Sequence, residues 1–472
     1  MTTGFDDALA RRKFDDALAR QAAGDLDGAE AGYRAVLAAV PAHPGALNNL
    51  ANVLRAKGRA EAAVPLLQRA FAADPGDPTP LFNLGAVQLE AGRPAPAAAA
   101  LQTALRLHPG FAAGWLNLGQ ALDALGADGP AEAAFAQATA LAPGDPAVLR
   151  ATGAVALARG DWAAGWPAWT ARWLDPVRLV RRAGIGLPVW APDSGGPGAG
   201  GPVLVWGEQG LGEEILLSGL VDRHLAALPD PVVEVDPRLL PLVRRARPGW
   251  RLIGRGEPHG CVAEVPFGDL ALLAPADPPP IPPRLVPDPA RAAALRAAVD
   301  ASARDPTRPR IGLGWSSPKA PLGGLKSLRL ADLAPVLALP ATFVVLQYGA
   351  VEAEVAAVRA ATGADVLCLP DPDRTDDLDG LAALIAGLDR VVTTSSTTAH
   401  LAAALGVPTR VMVPRGAGRY WYWGRSGETV PWYPAVRLFR QGAGASLAAL
   451  AATVAAAVAA AEDGPAGAVS DR

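Results

Sequence analysis

The sequence predicts two architectures in one chain, of class α + α/β: a solenoid of paired helices, then two tandem α/β units. Three observations carry this. Glycine recurs every 34 residues, at Gly24, Gly58, Gly92, Gly126 and Gly160, with proline on the same beat at Pro41, Pro75, Pro109 and Pro143. That period is the length of a helix–turn–helix unit. From Val203 onward, short apolar runs alternate with helical stretches, the pattern of a parallel α/β sheet. Between the two, residues 184–201 are rich in Gly and Pro and read as a linker.

The solenoid occupies residues 1–183. Residues 5–19 duplicate a short motif, FDDALARRK then FDDALARQA, whose apolar spacing suits one amphipathic helix. In the repeats after it, Leu50, Leu84 and Leu118 hold one position, and the small residues Ala51, Gly85 and Gly119 come next. A large residue comes later in each unit, at Leu67, Leu101 and Phe135, and then alanine at Ala70, Ala104 and Ala138. Small residues let two helix backbones approach, and the large ones fill the space beside them. Each glycine ends a first helix in a left-handed conformation, and each proline follows a second helix that it cannot continue. The last unit decays into Gly153, Gly160, Trp162, Trp166, Trp169 and Trp173, and reads as a cap that packs on the next domain.

The first α/β unit, 202–303, opens with a strand at Val203–Trp206, a glycine loop, a helix over 213–227 and a second strand at Pro231–Val235. The second, 304–472, has strands at 310–315, 342–347, 364–369, 390–394 and 409–413, with helices near 351–361, 378–387 and 398–405. Two such units imply a cleft between lobes.

Composition narrows the class. Half of the 472 residues are hydrophobic, 19% are charged and the net charge is −3, so the chain affords a sizeable core and shows no basic stripe for nucleic acid. Its two cysteines, Cys261 and Cys368, are far apart, and its five histidines form no HExxH pair, so neither a metal nor a disulfide framework is expected. The N-terminus lacks a secretory pattern. The longest apolar run, 445–461, is mostly alanine and short for a bilayer span, so a packed helix and a cytoplasmic protein are expected.

Four stretches hold chemistry. In Trp206-Gly-Glu-Gln-Gly-Leu-Gly-Glu-Glu214, Gly207, Gly210 and Gly212 let the chain turn from strand to helix, whose N-terminus offers N–H groups to an anion. Glu213 then either faces the cleft as a general base or merely complements the helix dipole. In Thr393-Thr-Ser-Ser-Thr-Thr-Ala-His400, the residues Ser395, Ser396, Thr397, Thr398 and His400 either bind a diphosphate or simply cap a helix. The loop with Ser316, Lys319, Lys326 and Arg329 either neutralises phosphate charge or is a solvated loop. Six of the fourteen residues from 420 to 433 are Tyr or Trp; Trp421, Trp423 and Trp432 either stack on a base or sugar, or wedge the lobes together.

The 34-residue units are similar to the tetratricopeptide repeat. Together with WGEQGLGEE, IGLGWSS…LKSL, FVVLQYG, LIAGLDRVVTTSSTTAHLAAALGVPTRVMVP and WYW…PWYPAVRLFRQ, the chain resembles a bacterial family in which such repeats are fused to a GT-B glycosyltransferase of two Rossmann-like lobes. It is more distantly similar to lipopolysaccharide heptosyltransferases, and in domain order to protein O-GlcNAc transferases. The resemblance implies transfer of a sugar from a nucleotide-diphosphate donor, held by the C-terminal lobe, to a hydroxyl on the N-terminal side. It maps the family's loop aspartate to Glu213 as base, and phosphate contacts to Lys326, Ser316, Gln347 and the 395–400 turn. It implies no metal and no cofactor besides the donor substrate. Relatives often carry Asp-Thr where this chain has Ser395-Ser396, and arginine where it has Lys326.

Asn49, Asn83 and Asn117 hold one position in successive repeats. An asparagine pairs with an extended peptide backbone without reading its sequence; alternatively the Asn-Leu pair serves the repeat locally. A similar ladder in O-GlcNAc transferases implies a protein acceptor, and flagellin glycosyltransferases share the layout. A transferase for lipopolysaccharide or surface polysaccharide, and a non-catalytic scaffold, are the alternatives.

Overall fold

The computed structural model describes residues 3–460, apart from 175–184, 193–199, 209, 279–280, 283 and 318–322. Part of the linker (184 and 193–199) and Lys319 lie outside the described residues. The chain forms two compact units, Met1–Thr152 and Gly153–Arg472.

Unit 1 is a run of antiparallel helix pairs: α1 (Thr3–Ala22) with α2 (Leu26–Ala39), α3 (Pro44–Ala56) with α4 (Ala60–Ala73), α5 (Thr79–Glu90) with α6 (Pro94–Leu107), and α7 (Ala112–Leu125) with α8 (Asp128–Leu141). The duplicated motif at the start is one helix, as its spacing predicts. The glycines on the 34-residue beat all turn with positive φ, between 69° and 81°. Adding a Cβ to Gly85 collides with Leu101, and one on Gly119 would sit 2.7 Å from the Phe135 ring. The alternation of small and large residues is thus the crossing geometry of each pair. Helix α9 (Pro146–Arg159) straddles the boundary between the units, and α10 (Trp162–Trp169) belongs to unit 2.

Unit 2 contains two parallel sheets. The first comprises β1 (Val203–Trp206), β2 (Pro231–Val235), β3 (Leu252–Gly254) and β4 (Ala263–Pro266), in the order β3-β2-β1-β4. Helices α11 (Leu211–His224) and α12 (Leu240–Ala246) connect its strands, and α13 (Pro289–Ser302) leads to the second sheet. That sheet comprises β5 (Arg310–Gly314), β6 (Thr342–Val345), β7 (Asp365–Leu367), β8 (Arg390–Thr394), β9 (Thr409–Val413) and β10 (Val436–Arg440), in the order β10-β9-β8-β5-β6-β7. Helices α14 (Glu352–Thr362), α15 (Leu378–Ala386) and α16 (Thr397–Ala404) lie between its strands, and α17 (Leu450–Ala459) follows them. The alanine-rich run is therefore a short helix that buries Ala451, Val454, Ala455 and Val458. No described helix is long and apolar enough to cross a membrane.

In both sheets the first strand has the second on one side and the fourth on the other. In the second sheet the connections leaving β5 and β8 run in opposite directions, and in the first the chain crosses back past β1 to add β4 at the far edge. Such a reversal of strand order opens a crevice beyond the carboxyl ends of the strands. Strands β1, β6 and β9 are buried on both faces, as parallel strands under helices must be.

The last indoles of the helical region enter the core of unit 2. Trp166 and Trp169 pack edge-on against Trp421 at 5.3 and 6.3 Å between ring centroids, and Trp162 meets Trp432 at 5.9 Å. Arg172, fully buried, sends Nε to Glu208 Oε2 at 2.8 Å and Nη2 to both Glu208 Oε1 and Asp269 Oδ1 at 2.6 Å. Its guanidinium also covers the Trp173 ring at 4.5 Å. Burial alone would lower the Arg172 pKa, but the two carboxylates more than reverse that and raise it. The arginine therefore stays charged.

Candidate functional site

A cleft of about 330 Å³ opens at the carboxyl ends of the strands in unit 2. Its walls come from five loops and two helix N-termini. Gly210, Leu211, Gly212 and Glu213 form the start of α11, after β1; Asp236 and Arg238 follow β2, and Arg255 follows β3. On the other side stand Ser317 after β5, Tyr348 after β6, and Ser395, Ser396, Thr397 and His400 at the start of α16. Lys326, Tyr420 and Tyr422 complete it.

The acidic residues of the first glycine loop have separate fates. Glu208 is buried on Arg172. Glu214 is buried too, accepting from the Asp236 backbone N–H and from Arg255 Nη2 at 2.8 Å. Gly207 stands outside the cleft, where a Cβ would collide with the Glu214 side chain. Glu213 alone of the three lines the cleft, half-buried on the first turn of α11, and its charge helps raise the Tyr422 pKa after burial has done most of that. Burial alone would raise the Asp236 carboxyl. Hydrogen bonds from Arg238 and the charge of Arg255 hold it below the ordinary carboxylate range instead.

The opposite wall is built for negative charge. Ser396 is the N-cap of α16, but its hydroxyl makes no capping bond; it meets Thr393 Oγ1 at 3.2 Å. The first N–H groups of α16 are therefore left to what enters the cleft. Lys326 is buried, with Nζ 4.7 Å from the centre of the Tyr420 ring, a cation–π contact that fixes the ammonium. His400 is buried between Tyr422, Trp423 and Tyr433, its Nδ1 3.0 Å from the Tyr433 hydroxyl. Burial first, and Lys326 second, lower its pKa to about 3. A Cβ on Gly212 would lie 2.6 Å from His400 Cδ2, so the glycine is what lets the two helix N-termini meet.

That depressed pKa has a sign. An unfolded histidine takes up a proton near pH 6.5, whereas the buried one resists until about 3. Its contribution to stability is complete above pH 6.5 and is lost as pH falls toward 3, at about 1.4 kcal/mol per pH unit. His400→Gln should flatten this part of the acid dependence. Tryptophan fluorescence in denaturant between pH 4 and 7 checks it, because every tryptophan except Trp115 lies beyond residue 152.

Several sequence-predicted residues sit elsewhere. Gln347 faces the backbone: its Oε1 accepts from the N–H of Trp315 and of Ser316 at 3.0 and 2.7 Å. Ser316 donates to Ser327, and Thr398 is buried beneath Gly314, so both lie behind the wall. The expectation that Trp421, Trp423 and Trp432 face a ligand is corrected: all three are buried behind the cleft, and Tyr420 and Tyr422 line it instead. Trp421 and Trp432 pack beside Trp162, Trp166 and Trp169, and Trp423 packs against His400, Tyr422 and Tyr433. Trp423 Nε1 donates to Ser395 Oγ at 2.7 Å, so it supports the loop from behind. Asp236, Arg238 and Arg255 belong to no motif in the sequence, and Tyr348 lies in the FVVLQYG stretch without being singled out. Their signal is positional, since each closely follows the end of a strand in a parallel sheet.

In unit 1, Asn49, Asn83 and Asn117 occupy one half-buried position on α3, α5 and α7. Asn83 donates to Asn48 Oδ1 at 2.8 Å and Asn48 to Asn49 Oδ1 at 3.2 Å, so the row is partly linked to itself.

Two overlapping stretches, residues 45–110 and 88–155, match tetratricopeptide-repeat family descriptions. The solenoid is a tetratricopeptide-repeat array. Such arrays stack into extended concave surfaces that bind other proteins. Protein FlbA of Caulobacter vibrioides is 30% identical over 318 residues, covering 61% of this chain and 51% of its own length. The chain thus spans about half of that relative, over a stretch longer than the repeats alone. Among solved structures, a thermophilic TPR protein in Thermus thermophilus is 22% identical, with 38% of this chain and 97% of that one covered at a TM-score of 0.32. YrrB, a TPR protein with an unusual peptide-binding site, is 19% identical over 37% and 91%, at 0.30.

Proposed function

We propose that unit 2 is a GT-B glycosyltransferase, which moves a sugar from a nucleotide-diphosphate donor to a hydroxyl of a protein bound by the tetratricopeptide array. One observation carries the reading: a carboxylate, Glu213, and an anion-binding wall of Lys326, His400 and the uncapped start of α16 line a single cleft. Two parallel sheets whose strand order opens a crevice at that end support it, as does the resemblance of the glycine loop and the 393–400 turn to those enzymes.

In this mechanism Glu213 takes the proton from the acceptor hydroxyl as its oxygen attacks the anomeric carbon. The bond from that carbon to the diphosphate oxygen breaks, and the diphosphate leaves with the electron pair. Its new charge is met by the Lys326 ammonium and the N–H groups of α16, which are already in place and need no reorganisation. The wall that includes Arg238 and Arg255 is left for the acceptor. The acceptor class rests on the array, and flagellin is the first protein to examine, by intact mass from cells with and without this chain.

Calorimetric titration with a panel of nucleoside diphosphates tests the donor site. Binding of one of them is expected, and Lys326→Ala should weaken it about 10- to 150-fold, the equivalent of losing a charged hydrogen bond worth roughly 1.5–3 kcal/mol. No binding to any member of the panel sinks the transferase reading and leaves a protein-binding scaffold.

A further inference from the structure

The pair formed by His400 and Tyr433 fixes more than a ring orientation. The Tyr433 side chain is buried, 1% exposed, and its hydroxyl has one hydrogen-bond partner among the described residues, His400 Nδ1 at 3.0 Å. A buried phenol carries one hydrogen that needs an acceptor. If Nδ1 carried a proton, that nitrogen would donate to the phenol oxygen and the phenol hydrogen would be stranded. If Nδ1 is bare, the phenol donates to it and nothing is left over. The second arrangement satisfies the buried groups, and it leaves the imidazole hydrogen on Nε2.

The position of that second nitrogen matters. Tyr433 does not line the cleft, whereas His400 does. The Cδ2–Nε2 edge of the ring faces Gly212 at the start of α11, where a Cβ would come within 3.2 Å of Nε2. No described residue accepts a hydrogen bond from Nε2. Tyr422 and Trp423 enclose the ring at 4.9 and 5.1 Å between centroids, so a flip would both break the Tyr433 bond and work against this packing. The ring is also neutral throughout the ordinary pH range.

We infer that Tyr433 is a positioning residue: by donating to Nδ1 it holds His400 as a neutral Nε2–H donor for a phosphate oxygen of the leaving diphosphate. The identity of that ligand rests on the transferase reading; the tautomer does not. A neutral donor suits such a position because it favours the diphosphate without adding a second buried charge beside Lys326.

The test is the long-range proton–nitrogen spectrum of the full chain labelled with ¹⁵N-histidine. Five imidazoles contribute, and His400 is assigned from His400→Gln, or by elimination with variants at the other four. The expected result is the Nε2–H form for His400 in the unliganded protein, with Tyr433→Phe shifting it toward the Nδ1–H form. Tyr433→Phe should also weaken nucleoside diphosphate binding about 2- to 10-fold, the scale of one neutral hydrogen bond. An Nδ1–H form in the native chain, or an Nε2–H form that Tyr433→Phe leaves untouched, overturns the inference. An Nε2–H form together with no nucleotide binding would instead keep the pair and defeat the transferase reading.

Discussion

Glu213→Ala should lower turnover about 10²- to 10⁴-fold, the range general-base catalysis supplies, and leave nucleoside diphosphate affinity close to that of the native chain. The split follows from where the charges sit. In the proposed transferase Lys326, His400 and the start of α16 would hold the donor, and Glu213 lies on α11, across the Gly212–His400 contact. Glu213→Gln keeps the shape and the hydrogen-bonding reach but cannot take a proton, so it should match alanine in turnover. Glu214→Ala makes the useful contrast. It strips the Asp236 backbone N–H and Arg255 of their partner and should act through stability. Labelled sugar transfer and calorimetry on the same preparations give both numbers. Native turnover in Glu213→Ala would remove it as the base.

Arg172→Ala should destabilise unit 2 by about 3–5 kcal/mol, because it removes a fully buried guanidinium that bridges two carboxylates. Glu208 is 1% exposed and Asp269 is nearly buried, and both reach the same nitrogen of Arg172. Arg172→Lys keeps the charge but cannot fork to both acids, and should fall between the two. Denaturant unfolding followed by tryptophan fluorescence measures this, since Trp173 donates to Asp269 and stacks beneath the guanidinium. A loss below about 1 kcal/mol would show the triad to be energetically idle, as exposed pairs usually are.

The repeats are legible in the sequence because each physical requirement repeats: one left-handed glycine, one small residue at a crossing, one large residue opposite. The longer strands are legible as apolar runs. Three strands are not. Leu252–Gly254 is three residues long, Ala263–Pro266 carries the buried Glu264 that receives the Trp206 indole, and Val436–Arg440 alternates with arginine because it is an edge strand with one wet face. Loops that read as glycine- or hydroxyl-rich contain Glu213, Ser395, Ser396, Thr397 and His400, all of which reach the cleft. Residues that reach it singly from ordinary loops, such as Arg238 and Arg255, have no local pattern. Trp423 stands out in the sequence for its size, and size is why it is buried.

The indoles that close the helical region also bear on how such a chain is assembled and exchanged. Trp162, Trp166 and Trp169 are counted with the repeats by spacing, yet their contacts belong to the core around Trp421 and Trp432. The unit of repetition and the unit of packing therefore do not coincide. A splice drawn at the end of the last 34-residue period would carry these side chains away with the borrowed repeats and leave a hole in the recipient. A cassette that ends at Thr152 takes none of them. An array exchanged upstream of that point leaves these indoles in place, and one that extends beyond it removes them.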